Sequence, residues 1–318
     1  MQLEVEVPWL VNDFYNDPTL QDPPEILSEL VFARVLPQNI GYLRISTMSP
    51  PNNVSARDFL AFIEGQLLSL HNTRALIIDV RFNGGGLPVV GETLMKYFID
   101  RPTLSLSCSP RLSDAVLALR SYYQQDYQLD HSSEDRFAHW KNVIVEPVEE
   151  ELRYHNPVVI ITNSNCFSAC DTFVAGFASN HLATVVGQAT GGGTGQPQWF
   201  DLPSEMARFR FSVVRGKLVN QTFLEGAGTR PDIALMPTAK DLALGVDSVL
   251  MQTHARLVEQ LGGGIKQVVG KSVKATLEDK AVFQFDAPKV RSAFEEEQDF
   301  LRVSSQEADD VLRDQLKN

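Results

Sequence analysis

Leu76-Ile77-Ile78-Asp79-Val80-Arg81-Phe82-Asn83-Gly84-Gly85-Gly86 and Pro157-Val158-Val159-Ile160-Ile161-Thr162-Asn163-Ser164-Asn165-Cys166-Phe167-Ser168 share one construction. Each opens on a short unbroken apolar run, passes through a tight polar or glycine turn, and continues into a helical pattern. The first helical pattern reaches Phe98 and the second runs from Ser168 to His181. Apolar runs without alternation, each followed by a helix, predict a parallel sheet covered on both faces. If the two strands are neighbours, both turns leave the sheet at its carboxyl edge, where open α/β sheets build ligand sites.

Working outward, Ile40 to Ile45 reads as a further strand and Ser55 to Leu70 as an amphipathic helix. Ser55 is its N-cap, and Phe59, Phe62, Ile63 and Leu67 form its apolar stripe. Ala183 to Gly187 is another strand. A glycine-rich loop, Gly191 to Gly195, then leads into alternating strands through Val219, and Leu242 to Leu261 is helical. The expected organisation has three parts. Residues 1–30 hold an amphipathic strand (Leu3, Val5 and Val7 against Gln2, Glu4 and Glu6) and a linker rich in Asp, Asn and Pro. Residues 31–261 form the α/β core, interrupted at 113–151 by a mostly helical insertion. Residues 262–318, with the acidic Glu295-Glu296-Glu297, form an appendage.

The chain has 318 residues, 43% of them hydrophobic, which suffices for a large buried core. Its formal net charge of -12 argues against nucleic acid or an anionic membrane as partner, since both require a basic face. No apolar run of about 18 residues spans a bilayer. Met1 to Leu10 carries acidic residues where a secretory leader would carry basic ones, so no export address is expected and the compartment stays open. Three cysteines, Cys108, Cys166 and Cys170, form no disulfide framework. Without a histidine at ligand spacing, Cys166 and Cys170 are expected to be small buried apolar residues rather than a metal pair.

Ser168 would stand at a helix N-terminus, where unpaired N–H groups and the helix dipole favour developing negative charge. The glycine turn can bring a further N–H close because no side chain intervenes. Together they would make an oxyanion hole. Taken singly, each feature also has a plain reading: an N-capping serine and a strand-to-helix connection.

The flanking residues decide between these readings. Thr162 to Asp171 resembles the nucleophile segment of tail-specific (C-terminal processing) serine proteases: a polar turn, Ser-Ala, then an acidic residue. Leu76 to Gly86 resembles that family's "hydrophobic-D-L-R-x-N-x-G-G" turn, and Ala183 to Gly193 its "A-x-V-V-G-E-x-T-x-G" strand and loop. Glu225 to Ile233 resembles its "E-G-x-G-x-x-P-D" segment, and Ile40 to Ile45 its opening strand. These motifs occur in order across residues 31 to 258. The resemblance implies a crotonase/ClpP-like core, Ser168 as nucleophile, Gly85 (or Gly86) and Ala169 as oxyanion donors, and a polypeptide substrate. It implies no metal or organic cofactor, is compatible with a homo-oligomer, and includes relatives that are often exported.

One branch of that family takes a lysine from the loop "T-x-G-K-G" as general base. Here the position is Gly193, and no lysine lies between Lys141 and Lys217, so a Ser–Lys mechanism is excluded. The chain is more similar to the lysine-lacking branch, that of the tricorn protease core and the retinoid-binding-protein-like members. Catalytic members there use a Ser–His–Ser–Glu arrangement, with the glutamate at the position of Glu225. Their histidine lies upstream, in a helical segment before a PDZ-like module, and none of the six histidines here matches it. The resemblance therefore implies that this helical and PDZ-like half is missing, with Met1 to Pro8 as its last strand. It further implies a hydrolase that is weak or inactive alone. The alternative is a non-catalytic module binding peptides or apolar ligands.

Overall fold

The computed structural model describes residues 23–131, 136–202 and 207–262. The first half contains α1 (Pro23–Leu30), β1 (Val31–Leu36), β2 (Ile40–Ile45), α2 (Ala56–Leu68), β3 (Ala75–Asp79), α3 (Pro88–Met95), β4 (Thr103–Pro110), α4 (Asp114–Leu119), α5 (Tyr123–Asp126) and β5 (Lys141–Val145). Then follow β6 (Val158–Thr162), α6 (Ala169–Ser179), β7 (Thr184–Gly187), β8 (Gln198–Asp201), β9 (Arg208–Phe211), β10 (Val214–Lys217), β11 (Ile233–Ala234), α7 (Ala239–Ala243) and α8 (Ser248–Gln260).

The central sheet has the order β1-β2-β3-β6-β7-β11. All its pairings are parallel except that of β1 with β2. The expected α/β architecture, a parallel sheet under helices, is what the chain builds. Side chains alternate between two cores, as the strand period requires. Leu43, Leu76, Ile78, Ile160 and Val185 face α2, α3 and α6. Tyr42, Ile77, Val159, Ile161 and Val186 face α8 through Val249, Leu250, Leu257 and Val258. Burying each such aliphatic side chain contributes about 1.5–3 kcal/mol, so both helical layers are needed to hold the sheet.

The helix expected from Ser55 begins as read. The Ser55 hydroxyl accepts the Asp58 N–H at 3.1 Å, a cap that contributes about 1 kcal/mol. Phe59, Ile63 and Leu67 are buried at four-residue steps, while Phe62 is half-buried.

Elsewhere the structure corrects the reading. Pro23–Leu30, placed with the linker, is helix α1, and its Leu27 enters the main core. Proline is well suited to a first helical turn, where no N–H is needed. Residues 113–151, expected to be mostly helical, contain as helix only the short α4 and α5 and the start of a 3-10 turn, Glu150–Leu152, among the described residues. Their strand β5 joins β4 and β10 in a separate antiparallel sheet. The helix expected over 242–261 is divided into α7 and α8 at Gly245, which has φ 62°. The strand expected in residues 1–8 and the appendage after 262 lie outside the described residues. Among those described, no helix is long and apolar enough to cross a membrane.

Candidate active site

Strands β3 and β6 are adjacent and level, with Ile78 opposite Ile160 and Asp79 opposite Ile161. Their following turns therefore emerge side by side, and hydrogen bonds lock them together. The Phe167 N–H donates to the Asn83 carbonyl at 3.0 Å, and the Phe82 N–H donates to the Asn163 side chain at 2.9 Å. Asn83 is fully buried. Its amide nitrogen donates to the Ile45 carbonyl while its Oδ1 accepts the Gly85 N–H.

Ser168 lies where the two turns meet, with φ 55° and ψ -121°. That region is unfavourable for a residue with a Cβ and costs about 1–3 kcal/mol. Ser168 does not cap α6, and among the described residues its hydroxyl has no hydrogen-bond partner. The plain N-cap reading is therefore set aside. Gly85, at φ 106°, packs directly on it: a methyl group there would come within 2.6 Å of Ser168 Cβ and 2.9 Å of the Ala169 nitrogen. The Gly85 N–H is already used by Asn83. Among the described residues, no acceptor takes the N–H of Gly86 or of Ala169.

A buried ion-pair cluster supports the glycine turn. Arg44 donates to Asp79 at 2.8 Å, and Tyr42 donates to it at 2.9 Å. Arg81 bridges Asp79 and Asp247, reaching each at 2.5 Å. Burial alone would raise the Asp79 carboxyl, but Arg81 and Arg44 overcome it and hold the group well below the usual carboxylate range. Asp247 caps α8 through the Leu250 N–H, so this cluster ties β2, β3 and α8 together beneath the turn.

On the other side, the glycine loop is held by Asp171. Its carboxylate accepts the Thr190 hydroxyl and the N–H groups of Gly192 and Gly193. Burial pushes this carboxyl up from its ordinary value, partly offset by those donors. The loop so fixed presents the Gly193 carbonyl to the Ser168 N–H at 2.7 Å. A Cβ at Gly193 would fall 1.9 Å from the Phe167 Cζ, so a side chain there would require the exposed Phe167 ring to move.

Glu225 sits at the far end of the same segment. It accepts the Thr194 N–H at 2.7 Å and the Ser212 hydroxyl. Among the described residues, no histidine is bonded to it. His71 and His254 are bonded to the carbonyls of Arg153 and Pro37, and His155 faces Glu150. Ser168, Ala169 and Gly85 are thus brought together directly, with Gly86 next in the chain and packed on Met48. Glu225 connects to them through Thr194 and Gly193.

Cys166 and Cys170 are buried as expected, but they are not independent apolar residues. They form a disulfide of S–S distance 2.19 Å, with their α-carbons 5.4 Å apart. Four-residue spacing across a helix start places the two side chains on one face, within bridging distance. Asp171, Asn83, Asn163, Arg44 and Asp247 carried no assigned role in the sequence reading. The asparagines were detectable in principle, as turn residues that bond nearby backbone.

The profile described as Peptidase family S41 matches residues 39–235. That is more than half of the chain, and the chain belongs to this family. The resemblance to tail-specific proteases is thereby borne out. An uncharacterized protein of Chlamydia muridarum is 25% identical over 274 residues, 70% of this chain and 45% of that protein. The chloroplastic carboxyl-terminal-processing peptidase 2 of Arabidopsis thaliana is 22% identical over 193 residues, 61% of this chain and 31% of that protein. The chain thus spans less than half the length of either curated relative. Among solved structures, a Parabacteroides merdae protein solved as a candidate peptidase has a TM-score of 0.58 at 24% identity, covering 74% of this chain and 67% of that one. Mature CPAF complexed with lactacystin has a TM-score of 0.51 at 18% identity, covering 73% and 53%. These two likenesses concern the fold.

Proposed function

We propose that this member of the family hydrolyses polypeptides through an acyl-enzyme on Ser168. The Ser168 oxygen adds to a peptide carbonyl carbon, the C–N bond breaks, and the amine leaves with a proton. Water then cleaves the ester and restores the hydroxyl. The N–H groups of Gly86 and Ala169 hold the oxyanion, each contributing about 3–4 kcal/mol as judged by removal. Gly85 shapes the hole while its own N–H stays with Asn83. Glu225 orients the base through its polar cluster. That base is missing or supplied from outside this chain, in keeping with the lysine-lacking branch, because position 193 is glycine.

One observation carries this reading: a serine, not a glycine, occupies a positive-φ position against the glycine turn, with its hydroxyl unspent. A turn needing only that backbone would be served better by glycine. Without its base, a serine hydrolase loses a factor of about 10⁴ or more in rate. The chain alone should therefore be slow, and labelling of Ser168 by a fluorophosphonate at an ordinary serine-protease rate would contradict that. The decisive comparison is hydrolysis of an unfolded polypeptide by wild type and Ser168→Ala; equal rates would remove Ser168 from the mechanism.

A second reading is a non-catalytic module for peptides or apolar ligands. The apolar Phe167 beside Ser168, 44% exposed, favours this one. Peptide binding that survives Ser168→Ala, without hydrolysis by either form, would select it.

A further inference from the structure

The Cys166–Cys170 disulfide encloses only Phe167, Ser168 and Ala169, so the serine at φ 55° sits in the middle of the ring it closes. Cys166 belongs to the turn and Cys170 to the first turn of α6. The bond therefore fixes the turn to the helix across the very residue whose backbone is strained. Without it, the turn is held to its surroundings by weaker ties. These are the Phe167 N–H to Asn83, the Ser168 N–H to Gly193, and the Gly191 N–H to the Cys166 carbonyl.

We infer that Cys166 and Cys170 are a reversible dithiol–disulfide site that sets the reactivity of Ser168. The bearing on reactivity rests on the proposed hydrolase reading; the redox site itself does not. A small-molecule or protein dithiol is the co-substrate. Its thiolate attacks one sulfur, the Cys166–Cys170 S–S bond breaks, and two electrons and two protons pass to the cysteines. The dithiol closes to its own disulfide. The leaving sulfur of Cys170 lies in the first turn of α6, where helix N–H groups favour a thiolate, while burial opposes one until the turn opens. The reduced state also has a place for its proton, since Cys170 Sγ lies 3.8 Å from the Val80 carbonyl oxygen. Both sulfurs are fully buried beneath the exposed Ser164, Asn165 and Phe167. Attack therefore requires the turn to lift, and lifting it draws Ser168 away from Gly85. Reduction and displacement of the nucleophile are one movement.

The test uses the full chain equilibrated in dithiol buffers of graded ratio, with three measurements on each sample. Alkylation and mass spectrometry count the thiols. Hydrogen exchange follows the amides of Ser168 to Thr172. Fluorophosphonate labelling follows Ser168. Oxidised protein should alkylate only at Cys108 and reduced protein at all three cysteines, with faster exchange over residues 168–172. Labelling should slow about 10- to 100-fold on reduction, the loss expected when a reacting atom shifts by about an ångström. The double variant Cys166→Ala/Cys170→Ala should stay at the reduced rate whatever the buffer. Full alkylation under oxidising conditions would overturn the inference. So would exchange and labelling identical in the two states. Redox-dependent exchange with labelling that never rises above that of Ser168→Ala, even on prolonged exposure, would uphold the redox site and sink the hydrolase reading instead.

Discussion

The unit β3–turn–α3 and the unit β6–turn–α6 begin from the same design and solve it with different residues. The first reverses its backbone on Gly85 and Gly86, at φ 106° and 137°, and keeps its charged groups below, in the buried Asp79–Arg81–Asp247 cluster. The second places a serine at φ 55° and braces it with a disulfide and with the Asp171-held loop. Where backbone must pass, the first turn relies mainly on glycine, with Phe82 its one other residue at positive φ, 64°. Where a hydroxyl must be presented, strain is accepted and supported from both sides. That contrast separates a structural turn from a chemical one.

The contrast can be broken at several points, and the largest effect is on chemistry. Ser168→Ala should abolish labelling and bring hydrolysis down from the already slow rate of the chain alone to background, while circular dichroism and unfolding midpoint stay near wild type. Next comes the buried cluster. Asp79→Asn leaves Arg44 and Arg81 short of a counter-charge and should lower stability by about 3–5 kcal/mol, read by denaturant unfolding. Gly85→Ala should cost at least about 2 kcal/mol, since a methyl group is strained there and collides with the nucleophile turn. Its labelling rate should fall further than its stability does. In contrast, Ser168→Gly should leave the unfolding free energy unchanged or raise it, by up to about 1 kcal/mol, while destroying reactivity. A stability loss from Ser168→Gly would mean that the hydroxyl has a structural task and that the two turns do not differ in kind.

Acid gives a smaller, reversible version of the second experiment. The Asp79 carboxyl is held below its unfolded value, so its contribution is complete above about pH 4, the unfolded carboxylate range, and is lost as pH falls toward the folded value. Unfolding midpoints should decline below about pH 4 in wild type, and the part due to this residue should vanish in Asp79→Asn.

Both strand–turn–helix units were legible because their apolar runs are short, β-branched and bounded by turn residues, which marks doubly covered strands rather than buried helix. The α2 cap was legible because Ser55 stands three residues before an acidic side chain at the start of an apolar stripe. Strand β4 was passed over although Leu104, Leu106 and Cys108 alternate with serines, because its pairing partners are distant in sequence. Strand β11 has two residues, too few for any period. The motif residues of the site could be quoted from sequence, yet their support could not. Arg81 meets Asp247 across 166 positions, and no local pattern announces a positive φ at Ser168. The disulfide escaped notice for a different reason: an odd cysteine count argues about frameworks and says nothing of a pair spaced one helical turn apart.

The Arg81–Asp247 bridge bears on where the folding unit stops. The family match ends at residue 235, yet Asp247 and the apolar face of α8 lie beyond it and seal one whole side of the sheet. A recombinant version trimmed to the matched segment would bare Ile77, Val159 and Ile161 to water and strip a guanidinium of one of its two carboxylates. Expression boundaries drawn from the family profile alone would therefore yield insoluble material, for want of thirteen helical residues that the profile never asks for.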